Sequence, residues 1–474
     1  MPTAYCRDVT QSSPPVTKTA RELKAQGYVA RGVKAEIRNN LIGALRAGET
    51  AFPGIVGFDE TVLPELERAL LAGHDFVLLG ERGQGKTRLM RTLVNLLDEW
   101  QPVVEGCEIH DDPLNPICVR CRALAAELGD DLPITWRHRD ERYGEKLATP
   151  DTSVGDLVGD IDPTKVAEGR PLGDPETVHY GLLPRANRGI FGINELPDLA
   201  ERIQVALFNV LEERDIQVRG YALRLPLDLL LVVSANPEDY TNRGRIITPL
   251  KDRFGAEIRT HYPLDIDDEI ALIRQEAATV ATVPTHVYEV VARFAAGMRE
   301  SAAIDQRSGV SARFAIAATE AVSASALRRS ALADEDEAVA RIGDVPDVVP
   351  TLVGKVEFEM GEEGREDEVL AHLLRLATAE TFRYRLAGVE LAPFTEHFIE
   401  GDTVETGPLV PGSQVLEQMG SVPGLATVLD RLGVEEDTVS PGQAAAAVEF
   451  VLEGLHLTRR LAKDEVDGRT VYGG

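Results

Sequence analysis

The residues best suited to chemistry form a glycine-rich loop, Gly-Glu-Arg-Gly-Gln-Gly-Lys-Thr, at positions 80–87. The loop fits G-x-x-x-x-G-K-[ST] at every fixed position, and its glycines let backbone N–H groups approach phosphate oxygens closely. Lys86 is expected to reach the β- and γ-phosphates, and the Thr87 hydroxyl to bind Mg²⁺. An apolar run before the loop and leucines at helical spacing after it favour nucleotide binding over a simple packing turn. The predicted nucleotide-binding residues are Gly80, Glu81, Arg82, Gly83, Gln84, Gly85, Lys86, Thr87, Arg88 and Asn194.

A neutral residue stands where such a loop needs a further magnesium contact. The apolar run 189–193 is followed by Asn194 and Glu195, and a P-loop NTPase requires a carboxylate at the first of these positions to hold Mg²⁺ through water. Asn194 can accept a hydrogen bond from a metal-bound water but brings no charge. Glu195 fits the role of the residue that polarises the attacking water. Three interpretations stay open: magnesium affinity is reduced, Glu195 and Asp198 share the work, or the site does not hydrolyse nucleotide.

Two further polar residues are candidates for the same site. Asn236 follows the apolar run 229–235 and would orient the attacking water from the side opposite Glu195, although an Asx-turn before Pro237 is the alternative. Arg313 begins a later helix in GVSARFAIAA and would contact the γ-phosphate from another side. Both matter because donors aimed at developing charge stabilise the transition state.

One arginine is a candidate for action on the nucleotide of a neighbouring subunit. Arg253 lies in PLKDRFG (249–255), just beyond the predicted sheet, and an arginine supplied in trans neutralises charge on the transferring phosphate. A surface salt bridge, for instance with Asp252, is the alternative. Arg243 and Arg245 in the preceding loop compete for the same role.

Three of the chain's four cysteines fall within fifteen positions. Together with a histidine they give C-x2-H-x7-C-x2-C, and two close pairs joined by a loop can close a tetrahedral zinc site. The metal would staple an insertion rather than catalyse, because all four ligand positions would be filled. Replacement of the histidine by Asp111 or water, and redox switching of the thiols, are the alternatives. The predicted ligands of the structural Zn²⁺ are Cys107, His110, Cys118 and Cys121.

Composition and charge exclude several classes of protein. The 474 residues include 50 Lys and Arg against 78 Asp and Glu, a net charge of −28, which disfavours binding to nucleic acid or anionic membranes. Hydrophobic residues make up 43%, enough for large buried cores. The apolar stretches are too short to span a bilayer, and four cysteines are too few for a disulfide scaffold. We therefore expect a cytoplasmic protein with no membrane insertion and no nucleic-acid partner.

The elements that must position these residues alternate in an α/β manner up to about residue 263. Apolar runs followed by amphipathic helices predict a parallel sheet with helical crossovers. The later sequence turns helical and alanine-rich, DVPDVVP (344–350) is typical of a linker, and the charged stretch 138–146 indicates an exposed loop or helix. The predicted divisions are an N-terminal tail with helices (1–49), an α/β nucleotide-binding domain (50–264) with a cysteine-rich insert (105–125), a helical lid (265–345) and a C-terminal accessory α+β region (346–474).

The order of these motifs resembles that of AAA+ ATPases. Their local sequences are similar to the magnesium chelatase ATPase subunit and the related MoxR group, and they cover much of residues 50–345. The resemblance implies an AAA+ P-loop NTPase core, a parallel sheet with flanking helices, then a helical lid, with an insert in the second helix at about 150–182. The matching segments are FPGIVGFDE (52–60), GERGQGKTRL (80–89), GDLVGDID (155–162), GLLPRANRGIFGINELPDL (181–199), VLEERDIQVRGYALRLP (211–226) and SANPEDYTNRGRIITPLKDRFG (234–255).

The resemblance also implies roles for single residues. Two positions depart from the family pattern, since Asn194 replaces the Walker B aspartate and Pro197 replaces an asparagine. Residues 351–474 have no counterpart that we can place. The implied roles are Glu195 as catalytic base, Asn236 as sensor 1, Arg253 as arginine finger and Arg313 as sensor 2.

The prediction that results is a MoxR-like AAA+ ATPase that uses ATP, Mg²⁺ and a structural Zn²⁺. It would hydrolyse MgATP at the subunit interfaces of a ring homo-oligomer, a hexamer, and remodel or activate a partner in the manner of a chaperone. The resemblance implies a protein with a von Willebrand factor A domain as that partner. A magnesium chelatase-type metal-insertion motor and a non-hydrolysing nucleotide-sensing scaffold are the alternatives. The acidic charge disfavours a DNA-directed AAA+ protein.

Overall fold

The computed structural model divides into two units, which we call the core unit and the helical unit. The core unit comprises Met1–Gly80 and Gly85–Thr260, and the helical unit Glu81–Gln84 and His261–Gly474. No helix in the described part of the chain is long and apolar enough to cross a bilayer. The described residues are 13–169, 177–213, 216–218, 221–223, 225–237, 245–306, 309–399, 402–420, 422–434, 440–466 and 468–473.

The core unit alternates strands and helices along the chain. Its strands are β1 (Phe76–Leu79), β2 (Trp100–Val104), β3 (Ile134–His138), β4 (Tyr143–Leu147), β5 (Gly159–Ile161), β6 (Val178–Tyr180), β7 (Gly189–Asn194), β8 (Ile216–Val218), β9 (Tyr221–Leu223), β10 (Leu229–Ala235) and β11 (Ala256–Arg259). Its helices are α1 (Ala20–Ala25), α2 (Val33–Ala47), α3 (Val62–Ala72), α4 (Lys86–Thr92), α5 (Val119–Leu128), α6 (Val154–Leu157), α7 (Pro163–Ala167), α8 (Leu182–Arg185), α9 (Glu201–Glu213) and α10 (Thr248–Lys251).

A parallel sheet organises the core unit. Within the described residues its strand order is β11–β1–β10–β7–β4, and every neighbouring pair runs parallel. The strands β1, β7 and β10 are buried along their whole length, as expected for parallel strands that are covered on both faces. The predicted α/β fold with a parallel sheet is therefore confirmed.

The carboxyl ends of three neighbouring strands meet at one edge of this sheet. Leu79 at the end of β1 pairs with Ala235 at the end of β10. Val233 in β10 pairs in turn with Ile193, one residue before the end of β7. The residues that follow these strands therefore share the edge at which ligands bind in parallel α/β sheets.

Short antiparallel pairs are added to this sheet without interrupting it. The cysteine-rich segment lies between β2 and β3, which pair with Trp100 opposite His138. The pair β5–β6 lies inside the region 150–182, where the resemblance places an insert. A third pair, β8–β9, matches Ile216 with Leu223. Each pair is a local insertion between elements of the core unit, so the strand order of the parallel sheet is preserved.

The helical unit consists mainly of helices, with a small antiparallel sheet of order β12–β14–β13 among its described residues. Its strands are β12 (Thr403–Thr406), β13 (Ala462–Val466) and β14 (Arg469–Gly473). Its helices are α11 (Ile266–Glu276), α12 (Thr285–Glu300), α13 (Ala312–Ala333), α14 (Asp344–Leu352), α15 (Glu366–Arg385), α16 (Ala392–Ile399), α17 (Gly412–Met419), α18 (Leu425–Arg431) and α19 (Pro441–Leu457).

The segment 344–350, which we expected to be a linker, is part of helix α14 instead. Pro346 stands in the first turn, where the backbone N–H that proline lacks has no partner in the helix. Val345, Val348 and Leu352 recur at helical spacing and are buried in the core of the helical unit. This apolar face, rather than the prolines, decides the local structure.

Candidate active site

The glycine-rich loop connects β1 to α4. Gly83 and Gly85 have φ values of 78° and 74°, a left-handed backbone that glycine adopts without a steric cost. The Gly80 N–H donates to the carbonyl of Ala235 at 3.2 Å, which fastens the loop to the end of β10. Helix α4 begins at Lys86 and carries Thr87 and Arg88 in its first turn. The loop thus has the strand–turn–helix context that its sequence predicted.

A chain of hydrogen bonds joins three predicted site residues at the carboxyl edge. The buried Lys86 ammonium donates to the Gly80 carbonyl and, at 2.8 Å, to Asn236 Oδ1. The Asn236 amide donates in turn to Glu195 Oε2 at 2.6 Å. Glu195 has a φ of 56°, a conformation that is unusual for a residue with a side chain and is often found at functional sites. The Lys86 ammonium, the Asn236 amide and the Glu195 carboxylate therefore lie side by side.

A second group of contacts surrounds the Thr87 hydroxyl. This hydroxyl donates to Asn194 Oδ1 at 2.9 Å, and the Ser234 hydroxyl approaches the same oxygen at 3.3 Å. The Asn194 amide nitrogen donates to Glu145 Oε1 at 2.9 Å. Glu145 also accepts two hydrogen bonds from the Arg91 guanidinium, at 2.8 and 2.9 Å. The Glu145 carboxylate thus contacts the nitrogen end of the neutral Asn194 amide, opposite the oxygen that contacts Thr87.

Sequence reasoning missed Glu145, because we expected the charged stretch 138–146 to be an exposed loop or helix. Its second half instead forms β4, which pairs with β7 so that Leu147 lies opposite Asn194. Asp198, the carboxylate that we considered for this task, lies in the short 3₁₀ turn Leu196–Asp198 after Glu195. Only the strand pairing brings Glu145 to the site, and nothing in the local sequence signals it.

The predicted arginine finger, Arg253, is held within its own chain by a salt bridge. Its Nη1 lies 2.6 Å from Glu212 Oε2, and the guanidinium sits 5.2 Å from the centre of the Phe208 ring. The salt bridge is therefore with Glu212 on α9, not with Asp252. Both charged side chains remain more than a third exposed, so Arg253 is accessible to solvent. Its role in trans stays a prediction.

The other candidate residues lie elsewhere in the chain. Arg245 is exposed, and its carbonyl accepts a hydrogen bond from Gln204 Nε2 at 3.2 Å; Arg243 lies outside the described residues. Arg313 is the second residue of α13 in the helical unit, exposed, with its N–H donating to Ser311 Oγ at 3.1 Å. Within the phosphate loop, the Glu81 N–H donates to Gln84 Oε1 at 3.0 Å. The sensor 2 role of Arg313 also stays a prediction.

The cysteine-rich segment folds into a compact group of metal-binding side chains. The Sγ atoms of Cys107, Cys118 and Cys121 and a carboxylate oxygen of Asp111 all lie within 4.8 Å of one another. The three thiols form no disulfide. Hydrogen bonds from Cys118 and Cys121 hold the pKa of Cys107 well below its ordinary value, which favours the thiolate. Asp111 Oδ2 accepts from the N–H groups of Ile117 and Cys118, while Oδ1 is buried with no hydrogen-bond partner.

His110, which we predicted as the fourth ligand, is not a member of this group. Its φ of 56° turns the chain so that the next residue, Asp111, faces the sulfur atoms. The His110 ring lies near several arginines, and burial together with the charge of Arg137 lowers its pKa to about 4. The structure therefore favours the alternative we left open, a donor set completed by Asp111 rather than by His110.

Contacts from the cysteine-rich segment reach the start of β7. The Asn187 amide donates to the Ile109 carbonyl at 3.0 Å, and Arg188 Nη2 lies 2.8 Å from Asp112 Oδ2. Asp112 also accepts a hydrogen bond from the Tyr28 hydroxyl at 2.7 Å. Because β7 begins at Gly189 and ends at Asn194, the segment is anchored to the strand that carries the candidate magnesium contact.

Together, the fold and this edge define a class of protein. A parallel sheet presents a phosphate loop after one strand, a glutamate after a second and an asparagine after a third, and a helical unit follows in the chain. Groups so placed are suited to binding a nucleoside triphosphate and to activating a water molecule for attack on it. The protein is an AAA+ ATPase, an ATP hydrolase, as the sequence predicted.

Similar proteins indicate which branch of this class is involved. The magnesium-chelatase 38 kDa subunit of Acidiphilium rubrum is 29% identical over 365 residues, which are 75% of this chain and 86% of that protein. The magnesium-chelatase 38 kDa subunit of Rhodobacter capsulatus is 30% identical over 245 residues, 51% of this chain and 64% of that protein, less than two thirds of its length. The chain is thus related to the magnesium chelatase subunits, and the resemblance drawn from its motifs is confirmed.

Two further comparisons add little to this relationship. No family model matches the chain. A solved chain from a complex between subunits BchI and BchD of magnesium chelatase is 21% identical and covers 67% of this chain and 98% of that chain. Its TM-score of 0.36 is too low for the likeness to bear on the fold or the function.

Proposed function

We propose that the chain works in the cytoplasm as a ring homo-oligomer, a hexamer, that hydrolyses MgATP at its subunit interfaces to remodel or activate a partner protein. The observation that carries this proposal is the chain of hydrogen bonds from Lys86 through Asn236 to Glu195. It supports the proposal because the Lys86 ammonium, suited to binding phosphate, lies one amide away from the Glu195 carboxylate, which is suited to activating water. The ring rests on the resemblance to AAA+ motors.

Each residue at this edge has a definable task in the reaction. Lys86 exchanges its contacts with Gly80 and Asn236 for oxygens of the β- and γ-phosphates, and Asn236 continues to hold Glu195. The Glu195 carboxylate then accepts a hydrogen bond from the water that attacks in line. The hydroxyl of Thr87 and the amide oxygen of Asn194, hard donors 2.9 Å apart, fit Mg²⁺. When bound, the metal would neutralise charge on the phosphates.

If each ATP site is shared between two subunits, ATP turnover depends on subunit concentration and on Arg253. We expect ATP turnover per subunit to rise with protein concentration, and Arg253→Ala to lower it about 10³-fold while ATP still binds, because an arginine in trans stabilises charge only in the transition state. Phosphate release measured across protein concentration checks both. Arg259→Ala is the control, since that side chain is 78% exposed on β11. Turnover independent of concentration and of Arg253 would contradict the shared site.

We propose that the partner is a protein with a von Willebrand factor A domain, because the motifs resemble those of MoxR-like ATPases. A second candidate is a metal-insertion motor, favoured because the relatives at 29% and 30% identity are named magnesium-chelatase subunits. Stimulation of ATP turnover by a tetrapyrrole-binding partner would support the second candidate. Stimulation by a von Willebrand factor A domain protein, without tetrapyrrole, would support the first. Tight ATP binding without turnover would instead favour a nucleotide-sensing scaffold.

We further propose that Cys107, Asp111, Cys118 and Cys121 hold a structural Zn²⁺. Their four donor atoms lie within 4.8 Å of one another, and a tetrahedral Zn–S distance of about 2.3 Å sets ligand atoms about 3.8 Å apart. The buried, unpartnered oxygen of Asp111 supports the proposal, since a bound cation would satisfy it. All four positions would be filled by protein, so the metal would support the anchor to β7.

Removal of this zinc should destabilise the protein. We expect about one zinc per chain, and a melting temperature lowered by about 5 °C or more after chelation or in Cys121→Ser, because a ligand that binds only the folded state stabilises it. Elemental analysis and thermal unfolding check this. Cys6→Ser is the control, because this cysteine lies outside the cysteine-rich segment of the sequence. Well under one zinc per chain, with no effect of added zinc on the melting temperature, would contradict the zinc site and favour redox switching of the thiols.

A further inference from the structure

We infer that Glu145 supplies, through the amide of Asn194, the negative charge that Asn194 itself cannot give to the magnesium site. The inference rests on the proposed function, because it concerns the metal of the same nucleotide. It assigns Glu145 as a positioning residue, which acts on the metal through another side chain. Four observations support it: the orientation of one amide, the strand register, the burial of the groups and the placement of Arg91.

Glu145 determines which way the Asn194 amide points. A carboxylate can only accept hydrogen bonds, so the Asn194 nitrogen must face Glu145, where it donates at 2.9 Å. The opposite end of the amide, Oδ1, then faces the Thr87 hydroxyl at 2.9 Å. That oxygen is the atom suited to a magnesium-bound water. With Glu145 in place, the amide presents an acceptor to the metal and not a pair of N–H donors.

The sheet places Glu145 where it can do this. β4 runs parallel to β7 with Glu145 opposite Gly192 and Leu147 opposite Asn194. Residues two apart on a strand point to the same face, so Gly192 and Asn194 share a face and glycine contributes no side chain to it. A Cβ at Gly192 would lie 2.8 Å from the Tyr143 hydroxyl oxygen, so a larger residue does not fit there. The side chains of Met90 and Tyr143 occupy the space at Gly192, and Glu145 on the neighbouring strand contacts Asn194 on the same face of the sheet.

The burial of Asn194 lets the negative charge of Glu145 act on it with little screening by water. Asn194 is buried, while the Glu145 side chain is 23% exposed and that of Arg91 is 63% exposed. Water therefore screens the guanidinium more than it screens the contact with Asn194. Hydrogen bonds to an ionised group are roughly twice as strong as neutral ones, so the donor end of the amide is strongly polarised and its oxygen becomes a better acceptor. Arg91 holds the carboxylate in place with two hydrogen bonds.

The experiment measures metal affinity directly, with Mn²⁺ as the probe and ADP bound. Electron paramagnetic resonance of free Mn²⁺ gives its dissociation constant in the wild type, Glu145→Gln, and Glu145→Gln combined with Asn194→Asp. We expect Glu145→Gln to weaken Mn²⁺ binding about tenfold, as second-layer partners of metal ligands do, with ADP affinity in the absence of metal unchanged. Asn194→Asp in the same background should restore Mn²⁺ affinity, because it returns a carboxylate to the site.

Controls and outcomes separate this inference from the proposed function. Glu141→Gln makes the same change at an exposed position of the same segment and should leave Mn²⁺ affinity as it is. If Glu145→Gln does not fold, Glu145→Asp replaces it: the shorter carboxylate keeps its charge but falls short of Asn194, so Mn²⁺ affinity should again drop. Unchanged Mn²⁺ affinity in the folded Glu145 variant, or no recovery with Asn194→Asp, overturns the inference. Failure of the wild type to hydrolyse ATP overturns the proposed function, while the Mn²⁺ titration still decides the role of Glu145.

Discussion

Replacing Glu195 by glutamine is expected to lower steady-state ATP turnover about 100-fold or more and to leave ATP bound. A positioned general base contributes about 10²–10⁴-fold to a reaction rate, and the neutral amide cannot take over that role. Glutamine keeps an oxygen that can accept the 2.6 Å hydrogen bond from Asn236, so the edge of the sheet should stay assembled. Phosphate release measures the loss of turnover, and retention of labelled ATP measures the binding.

The matched comparison is Lys86→Ala, for which we expect loss of nucleotide binding itself. Lys86 is the buried cation of the loop and is aimed at the site by Gly80 and Asn236, so its removal takes away charge from the bound state as well as the transition state. Glu201→Gln, an exposed change at the start of α9, should alter neither property. Near-normal turnover in Glu195→Gln would show that another group activates the water.

The sequence carried enough information to predict the sheet and the strand ends. β1, β7 and β10 are strands of four to seven residues, apolar except for Asn194 and Ser234 near their ends, a pattern that identifies buried parallel strands without knowledge of their partners. Helix α14 was missed because its prolines suggested a linker, although Val345, Val348 and Leu352 repeat at helical spacing. Periodicity was therefore the better guide than the presence of proline.

The candidate site was predictable only where its residues follow the strands directly. Glu195 and Asn236 stand next to apolar runs, so parallel strands bring them together by topology alone. Glu145 depends on the pairing of β4 with β7, a long-range contact with no local pattern. Asp111, rather than His110, lies beside the three cysteines, and the positive φ at His110 is a backbone conformation that the spacing of the motif does not predict.

A buried ion pair in the core unit carries the largest stability effect that we expect. Arg142 is fully buried and donates two hydrogen bonds of 2.7 Å to the buried carboxylate of Glu36 on α2. It also donates to the carbonyl of Arg188 at 2.8 and 3.0 Å, and Glu36 accepts from the Asp98 N–H at 2.7 Å. The pair thus joins α2 to the residue that directly precedes β7.

Removing only the carboxylate of this pair should lower the free energy of unfolding by far more than the intact ion pair contributes to it. Glu36→Ala leaves an uncompensated guanidinium in the interior, and we expect it to lower the free energy of unfolding by about 3–5 kcal/mol. Urea unfolding checks this, with Asp131→Ala as the control, because its salt bridge with Arg21 is exposed and such pairs contribute about 1 kcal/mol or less.

The double variant Glu36→Leu with Arg142→Met distinguishes a buried charge from a packing defect. It removes both charges and keeps apolar volume, so we expect it to recover most of the stability that Glu36→Ala loses, as replacement of buried ion pairs by apolar residues often does. If Glu36→Ala costs as little as Asp131→Ala, the Arg142 charge must be reached by solvent. If the double variant is no better than Glu36→Ala, the stability that it fails to recover reflects the hydrogen bonds of Arg142 to the Arg188 carbonyl, which the double variant removes and Glu36→Ala leaves in place.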